Sequence, residues 1–568
     1  MDKKTLPIVI LLVVLIFLFW PAMEWLGFVK PRPAAPAKTT DTTTVTTGDT
    51  ASGRNTIAPA AAGMDTLATA APTEGDSVIT HDTIFVSTQK YTVALSSYGG
   101  GPVSIKLAEH TYRNGEQIEM LAAGASSTPE AQFAGGTATT AQMNFAANLA
   151  PGQYDARNSP LDVIYTHTTS SGGQIIKRYH FYPDQYDYEF VLELPNLNTL
   201  GYERQYNLVW NEPLHPTEPD SASDYETMEA VAMMSRQRTD LNDFDGDSLN
   251  QGLTGTTDWA GLRAKYFAAV MIPRTRPAEG VFSKGKLRQV VTSQGNATAK
   301  LLTVGLEMPF AGAGAITDSF TMFVGPLDYN LMKSYNVGME DILGIGTTPY
   351  VGWILKPFAL AIIWLLPRMY TLIGNYGWVI ILFALLIKLV TLPLSMKSFK
   401  SMQAMKDIQP KIDELRKKHK NNPQALNADT MKLYKTAGVN PFSGCLPMLL
   451  QMPLFFALFS VFRSTILLRD APWFWFINDL SRGATGFTDP YIILVVFMVL
   501  FQFVSQKLTM ASNQQNKMLM YLLPLMFAFF FYKLAAGLVL YWASFSLFSL
   551  LDYVIFKRMK KNPEIQTA

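Results

Sequence analysis

The sequence has little of the side-chain chemistry that builds redox, zinc or hydrolytic sites. Its 568 residues include one cysteine, Cys445, which excludes an internal disulfide framework and a cysteine-based zinc site. The six histidines show neither an HExxH motif nor a paired spacing, which argues against a metal enzyme. P-loop and GxSxG motifs are also absent. We therefore predict a protein that is not an enzyme and that uses no metal, no cofactor and no nucleic-acid substrate.

Charged side chains are also scarce, at 16% of the residues against 48% hydrophobic ones. Aromatic residues reach 12%, and the mean hydropathy is slightly positive at +0.11. This balance indicates a membrane protein that carries a sizeable soluble part.

The N-terminal region divides into an apolar stretch and a polar one. Residues 1–30 begin with MDKK and continue with LPIVILLVVLIFLFW, which fits an uncleaved first span or a cleaved signal peptide. We predict a transmembrane anchor, because apolar character continues beyond Trp20. Either interpretation keeps the N-terminus inside and sends the next segment outside. Residues 31–77, rich in Thr, Ala, Pro, Gly and Ser, are predicted to be a flexible linker.

Residues 78–345 show the period-two alternation of β-strands. The stretch YDYEFVLEL at 186–194 places alternate apolar residues on one face and Asp187, Glu189 and Glu193 on the other. KYTVAL and PVSIKL repeat this alternation around a turn at the glycines 99–101. The pattern predicts a mostly antiparallel, all-β sandwich domain outside the membrane.

Long apolar segments dominate residues 350–560 and predict a membrane α-helical bundle. The loop from Lys397 to Lys435 has ten basic and four acidic residues, a net charge of +6, and so belongs in the cytosol. Because the β domain is outside, an odd number of spans must separate the two. Segment 351–372, with two basic residues and two prolines, is therefore predicted to lie flat as an interfacial helix. The five predicted spans are 376–396, 444–466, 490–506, 518–535 and 537–556, with a cytosolic tail at 561–568.

The segment FALLIKLVTLPLS at 383–395 contains a single charged residue, Lys388. Two interpretations stay open: the lysine snorkels to the cytosolic surface along its flexible stem, or it faces a wet cavity inside the bundle. No acidic residue obviously pairs with it, and we interpret Asp552 as an interfacial anchor near the cytosolic end of its span. An unpaired cation at this depth needs water or an incoming anion.

The basic loop is predicted to form an antiparallel helical hairpin over residues 397–437. Asn422 and Pro423 are typical of the N-cap and first turn of its second helix. A stripe of apolar residues on the first helix packs within the hairpin or binds varied apolar partners, since methionine surfaces are adaptable. The stripe consists of Met402, Met405, Ile408, Ile412 and Leu415.

Polar residues also occur on the other predicted spans. They either bond a neighbouring helix or line one hydrophilic groove together with Lys388. These candidates are Gln451, Tyr541, Trp542 and Ser544.

Three stretches of the C-terminal half resemble the YidC-type membrane protein insertases. They are GVNPFSGCLPMLLQMPLFFALF at 438–459, GNYGWVIILFALLIKLVTLPLS at 374–395 and LAAGLVLYWASFSL at 534–547, and the Met-rich hairpin lies between the first two. The outer domain, with KYFAAVMIP and FVGP, resembles more loosely the large periplasmic domain of Gram-negative members.

The resemblance implies a protein that inserts inner-membrane proteins and helps them fold, alone or beside the Sec translocon, with both termini cytosolic. Nascent inner-membrane proteins, the ribosome or targeting factors, and the lipid bilayer are its implied partners. Members of the family hold a groove open to cytosol and lipid, with one positive residue on the first core span. Lys388 occupies that position, where most members have arginine. Lysine keeps the charge and loses the bidentate fork of arginine.

Two other functions remain as alternatives. A solute transporter would need a through-path, and the internal repeat that favours this class is not seen. A scaffold acting through its periplasmic domain would place the function in the β-sandwich instead.

Overall fold

A computed structural model describes residues 82–561, apart from several gaps. The predicted anchor, the linker and the tail beyond residue 561 lie outside the described residues. The gaps are 134–137, 197–204, 219–220, 293–294, 311–313, 348–350, 421, 439–445, 487 and 510–513.

The first part of the described chain is an all-β domain. The strands are, in chain order, β1 Thr83–Ser87, β2 Tyr91–Ser96, β3 Gly101–Thr111, β4 Gln117–Glu119, β5 Glu130–Phe133, β6 Ala138–Thr139, β7 Ala146–Ala147, β8 Gly152–Asp155, β9 Leu161–Thr168, β10 Gln174–Phe181, β11 Asp187–Leu194, β12 Gln205–Trp210, β13 Glu229–Met234, β14 Gln237–Asp240, β15 Ser248–Arg263, β16 Phe267–Pro273, β17 Ala278–Thr292, β18 Gly295–Pro309 and β19 Ile316–Pro326.

Two sheets form this domain. The smaller has the order β4-β3-β2-β1-β8, in which only β1 and β8 run parallel. The larger has the order β6-β5-β12-β18-β17-β15-β16-β19-β11-β10-β9-β7, with β13 paired to β15 and β14 paired to β13. The sheets pack through buried aromatic and aliphatic side chains, and across them Tyr91 on β2 meets Phe181 on β10 at 6.5 Å. The predicted all-β sandwich is confirmed.

The β2–β3 hairpin turns at the predicted glycines. Gly99 and Gly100 have φ angles of 83° and 59°, a left-handed conformation that side chains with a Cβ rarely adopt. Their carbonyl oxygens face the larger sheet, where Lys177 Nζ donates to Gly99 O at 2.8 Å and Tyr179 Oη donates to Gly100 O at 2.8 Å. The turn therefore helps to join the two sheets.

Strand β11 keeps the predicted alternation, and one residue of its polar face is buried. Phe190, Leu192 and Leu194 are fully buried, while Glu189 and Glu193 on the other face are half-buried. Asp187 lies on that same face but is buried there. It is buried because Tyr335, from a later segment, covers the strand and donates its hydroxyl to Asp187 Oδ1 at 2.5 Å.

Helices dominate the rest of the described chain. Two short ones, α1 Ser221–Thr227 and α2 Tyr329–Ser334, belong to the β domain. The longer ones are α3 Gly352–Ile373, α4 Tyr376–Lys418, α5 Pro423–Thr436, α6 Leu446–Ser464, α7 Ile492–Thr509, α8 Gln514–Phe531 and α9 Ala536–Lys561.

Local sequence explains the ends of these helices. Helix α3 ends at Gly374 with a φ of 74°, and the Asn375 side chain then caps α4 by accepting from the amides of Gly377 and Trp378. Asn422 caps α5 before Pro423, as predicted. Helix α4 runs without a break through the predicted span and the first arm of the predicted hairpin, about 65 Å at 1.5 Å per residue.

Among the described residues, three helices are long and apolar enough to cross a membrane: Gly352–Ile373, Tyr376–Lys418 and Ala536–Arg558. Shorter apolar helices cover Ile492–Leu508 and Tyr521–Phe531. Helix α9 packs against α4 and α7, while α3 packs against α6 and α4. These contacts make a helical bundle beside the β domain.

The loop between α6 and α7 docks on the β domain through buried charges. Arg469 Nε donates to Glu218 Oε1 at 2.7 Å, and Arg469 Nη2 donates to the carbonyl oxygen of Thr111 at 3.0 Å. Burial raises the pKa of Glu218 to about 7, against the opposing charge of Arg469. Arg113 adds an ion pair to Asp479 at 3.2 Å.

The same loop covers one end of the bundle, which we call the outer end. Its backbone meets the α8–α9 turn, where Gly537 N donates to Leu480 O at 2.8 Å and Ala484 N donates to Tyr532 O at 2.8 Å. At the start of α4, Trp473 packs edge-on against Trp378 at 6.0 Å. The β domain and the loop therefore close this end together.

We expect Arg469→Ala to weaken the docking of the β domain by about 3 kcal/mol, because Glu218 would stay buried without its cation. Thermal unfolding and limited proteolysis of the full chain in nanodiscs measure this effect. Arg157→Ala is the matched control, since its side chain is exposed and lies 4.0 Å from Asp155. Equal behaviour of the two variants would show that the Arg469 contact does not hold the domains.

His110 gives this contact region a pH dependence. Its ring packs against Tyr186 and Phe267, and burial together with the nearby charge of Arg469 lowers its pKa from 6.5 to about 4. The unfolded chain then binds more protons between pH 6.5 and 4, so the stabilisation is complete above pH 6.5 and is lost as the pH falls towards 4. We expect His110→Gln to reduce this loss in unfolding scans. An unchanged pH profile would contradict the assignment.

Candidate functional site

Lys388 lies deep in the bundle, far from the outer end. At 1.5 Å per residue, Lys388 lies about 20 Å along α4 from the N-cap of that helix. By the same measure, Asp552 lies about 24 Å along α9 from the start of that helix. Both side chains therefore lie towards the end of the bundle that is opposite to the outer end.

The side chain of Lys388 turns inward, away from lipid. Lys388 is 6% exposed, whereas its neighbours Leu389 and Val390 are 61% and 69% exposed. Exposed apolar side chains on a spanning helix are the ones that meet acyl chains. The ammonium therefore points into the contact between α4 and α9.

Three groups on α9 surround the ammonium. Lys388 Nζ lies 2.9 Å from Asp552 Oδ2 and donates to Ser549 Oγ at 2.9 Å. It also lies 4.5 Å from the centre of the Phe545 ring. These contacts take up the directions in which an ammonium can donate.

The expectation that Lys388 has no acidic partner is wrong, and so is the interpretation of Asp552 as an interfacial anchor. Asp552 is 5% exposed and forms an ion pair with Lys388. Neither side chain could remain charged alone in this position, because unpaired ions are costly in a medium of low dielectric constant. The cation is therefore paired and buried in this structure.

Gln451 and Tyr541 lie next to this ion pair along the same contact. Gln451 Nε2, on α6, donates to Tyr541 Oη at 2.6 Å, and Tyr541 is fully buried. The Tyr541 ring stacks on the Phe545 ring at 6.0 Å, and the Phe545 ring is the one that lies beside the ammonium of Lys388. The structure thus brings Lys388, Gln451 and Tyr541 together where α4, α6 and α9 meet.

Trp542 and Ser544 are placed differently. Trp542 packs among Phe455, Phe527 and Phe531 at ring distances of 5.3 to 5.6 Å, in an aromatic cluster of α6, α8 and α9. Ser544 is buried on α9. No contact of either residue with Lys388 occurs among the described side chains.

The apolar stripe of the predicted hairpin is only partly covered. Ile412 is buried at 4% exposure, and the other four members are half-buried, namely Met402, Met405, Ile408 and Leu415. His419 Nε2 lies 2.9 Å from Asp429 Oδ2 and joins the two arms near their connection. Helix α5 has no buried residue, so it packs only loosely against α4.

Sequence reasoning missed Asp552, Ser549 and Phe545 as parts of the site. The sequence does contain a signal for them. Tyr541, Phe545, Ser549 and Asp552 are spaced by four, four and three residues, which places them on one face of a helix. Gln502 on α7 is also buried, and its Oε1 accepts no hydrogen bond from the described residues.

Comparison with known proteins matches both parts of the chain. The model of the 60Kd inner membrane protein family matches residues 368–563, and that of the YidC periplasmic domain matches residues 83–361. The "Membrane protein insertase YidC" of Chlorobaculum tepidum is 33% identical over 92% of this chain and 90% of its own. That of Chlorobium limicola is 30% identical over 96% of this chain and 94% of its own.

Among solved structures, an active YidC insertase crystal structure covers 84% of this chain and 92% of its own, at 20% identity and a TM-score of 0.36.

The fold and the site define a polytopic inner-membrane protein with a large periplasmic β domain and a buried charge pair in its helical bundle. The chain belongs to the YidC family of membrane protein insertases.

We expect Tyr541→Phe to destabilise the bundle by ~0.6–2 kcal/mol, because the buried Gln451 amide loses the acceptor 2.6 Å away. Unfolding of the full chain by denaturing detergent measures this difference. Tyr521→Phe serves as the control, since its side chain is 62% exposed on α8. If both variants unfold alike, the buried hydrogen bond contributes nothing to the bundle.

Proposed function

We propose that this protein inserts membrane proteins by receiving their polar segments where α4, α6 and α9 meet, with Lys388 as the attracting cation. The observation that carries the proposal is the charged and hydrogen-bonding cluster buried in the inner part of the bundle. Polar groups inside a membrane are costly unless they serve transport or binding. Family membership supports insertion as that purpose.

A groove that reaches only partway across the bilayer can lower the barrier to translocation. A polar tail must cross ~30 Å of hydrocarbon, and a hydrophilic cluster in the inner part shortens that path. The outer end is covered by the α6–α7 loop and the β domain, so the polar segment enters from the inside. The apolar segment then moves sideways into lipid, favoured by ~0.8 kcal/mol per buried CH₂. No nucleotide is required for this step.

The exposed lipid-facing side of α4 fits a lateral exit. Leu389 and Val390 stand on the helix that carries the cation, so cargo leaving the cluster meets lipid within one helix diameter. Gln451 and Tyr541 offer further hydrogen bonds to cargo. Trp542 and Ser544 are proposed to act beside the groove, through the packing of α9.

The hairpin is proposed to capture cargo at the groove mouth. Its stripe is half-buried at Met402, Met405, Ile408 and Leu415, and methionine-containing surfaces adapt to varied apolar partners. Ribosomes or targeting factors would deliver nascent chains to this face, and the Sec translocon would share them.

The topology proposed for the chain follows from charge. The basic segment around α5 lies in the cytosol, with both termini on the same side, and α3 lies along the membrane surface. Exposed Trp353 and Trp364 on α3, the latter 4.2 Å from the Arg368 guanidinium, suit an interfacial helix.

The test uses purified full-length protein in liposomes and a single-span substrate whose translocated tail carries two aspartates. We expect Lys388→Arg to insert this substrate at close to the wild-type rate, because the charge is kept. Lys388→Gln should reduce insertion at least about tenfold, the scale of one charge contact of 1.4 kcal/mol. Protease protection of the translocated tail measures insertion.

The matched substrate carries two asparagines in place of the aspartates. Lys388→Gln should insert it at near the wild-type rate, which separates loss of the charge from loss of folding. If Lys388→Gln inserts the aspartate substrate as well as wild type does, the attracting role of the cation is wrong.

A further inference from the structure

The ion pair raises a difficulty for a groove cation, because the ammonium is already occupied. Asp552, Ser549 and the Phe545 ring surround Lys388 Nζ, at 2.9, 2.9 and 4.5 Å. An incoming carboxylate therefore finds no open donor on the ammonium. Either cargo never touches Lys388, or one of these groups must leave.

Asp552 is the group that is held most weakly. Its Oδ2 atom, which meets Lys388, has no other partner among the residues that the structure describes. The carboxylate of Asp489, in the outer loop, is held differently: it accepts from the amides of Thr485 and Tyr491 and pairs with Arg482. A carboxylate fixed by a single partner can exchange.

Ser549 and Phe545 are less able to leave. The Ser549 hydroxyl donates back to the Phe545 carbonyl oxygen at 2.8 Å, which fixes its rotamer on α9. The Phe545 ring is held by stacking on Tyr541. Asp552 also lies closest to the inner end of α9, so its side chain has the shortest way to water.

Exchange of one carboxylate for another is energetically mild. Removing Asp552 outright would leave a buried ammonium unpaired, at a cost of several kcal/mol. When a carboxylate of the cargo takes its place, the ammonium stays paired throughout. A neutral tail offers no such replacement, so the resident pair stays closed.

We propose that Asp552 is the resident counter-ion of Lys388 and that an acidic side chain of the cargo displaces it. This inference rests on the insertion function proposed above. Asp552 then determines specificity, because it competes with cargo carboxylates and sets how strongly acidic tails are preferred over neutral ones.

The first experiment measures cargo capture by Asp552→Asn in liposomes, with the aspartate and asparagine substrates compared. A photoreactive group in the substrate tail reports contact with the full-length protein before insertion. Without the competing carboxylate, we expect cross-linking of the aspartate substrate to rise by roughly three- to tenfold relative to wild type. Cross-linking of the asparagine substrate should stay at the wild-type level.

Asp552→Glu keeps the charge and is the matched control, expected to retain the wild-type preference. Equal changes for both substrates in Asp552→Asn would mean that the ion pair only joins α4 to α9. If Lys388→Gln loses the preference for aspartate while Asp552→Asn keeps the wild-type value, only this inference is wrong. If Lys388→Gln also behaves as wild type, the proposed groove function itself is wrong.

The second experiment avoids substitution and so does not depend on the folding of a variant. Asp552 in the wild-type protein is labelled with a carbodiimide and an amine, and the labelled fraction is read by mass spectrometry. We expect labelling to rise several-fold when the aspartate substrate is bound, because displacement brings the carboxylate to water, and not with the asparagine substrate. Equal labelling with both substrates would overturn displacement.

Discussion

A charge buried within a membrane must be paired, and this constraint organises the helical half of the protein. Lys388 cannot stay ionised between helices without a counter-charge, so α4 and α9 meet where Asp552 supplies one. The other groups of α9 complete the surroundings of the ammonium within hydrogen-bonding or ring distance. The contact between these two helices is therefore defined by a polar interaction within an apolar bundle, and such interactions favour one helix register over others.

A second electrostatic interaction helps to cover the outer end of the bundle. Arg469 and Glu218 form an ion pair between the α6–α7 loop and the β domain, supported by the carbonyl oxygen of Thr111. The β domain thus contacts the loop that also covers the starts of α4 and α9. The two ends of the bundle therefore differ: the outer end is covered by protein, and the charge pair lies towards the opposite end.

The choice of lysine at position 388 acquires a physical meaning from its partner Asp552. Arginine presents five donors in a planar fork, and lysine presents three around one point. Asp552, Ser549 and the Phe545 ring match a point charge of this kind. The lysine and its aspartate are best understood as a unit, because the two opposite charges of the pair balance each other.

The sequence by itself determined the class of each region, because periodicity and hydropathy are local properties. Alternation predicted the β-sandwich, apolar runs predicted the membrane helices, and an isolated Lys388 marked the site. Only the tertiary structure decided which side chains meet. Lys388 and Asp552 are far apart along the chain, and pairing depends on the rotation of α4 against α9, which no local pattern fixes. Asp187 makes the same point, because the cover from Tyr335 comes from a distant segment.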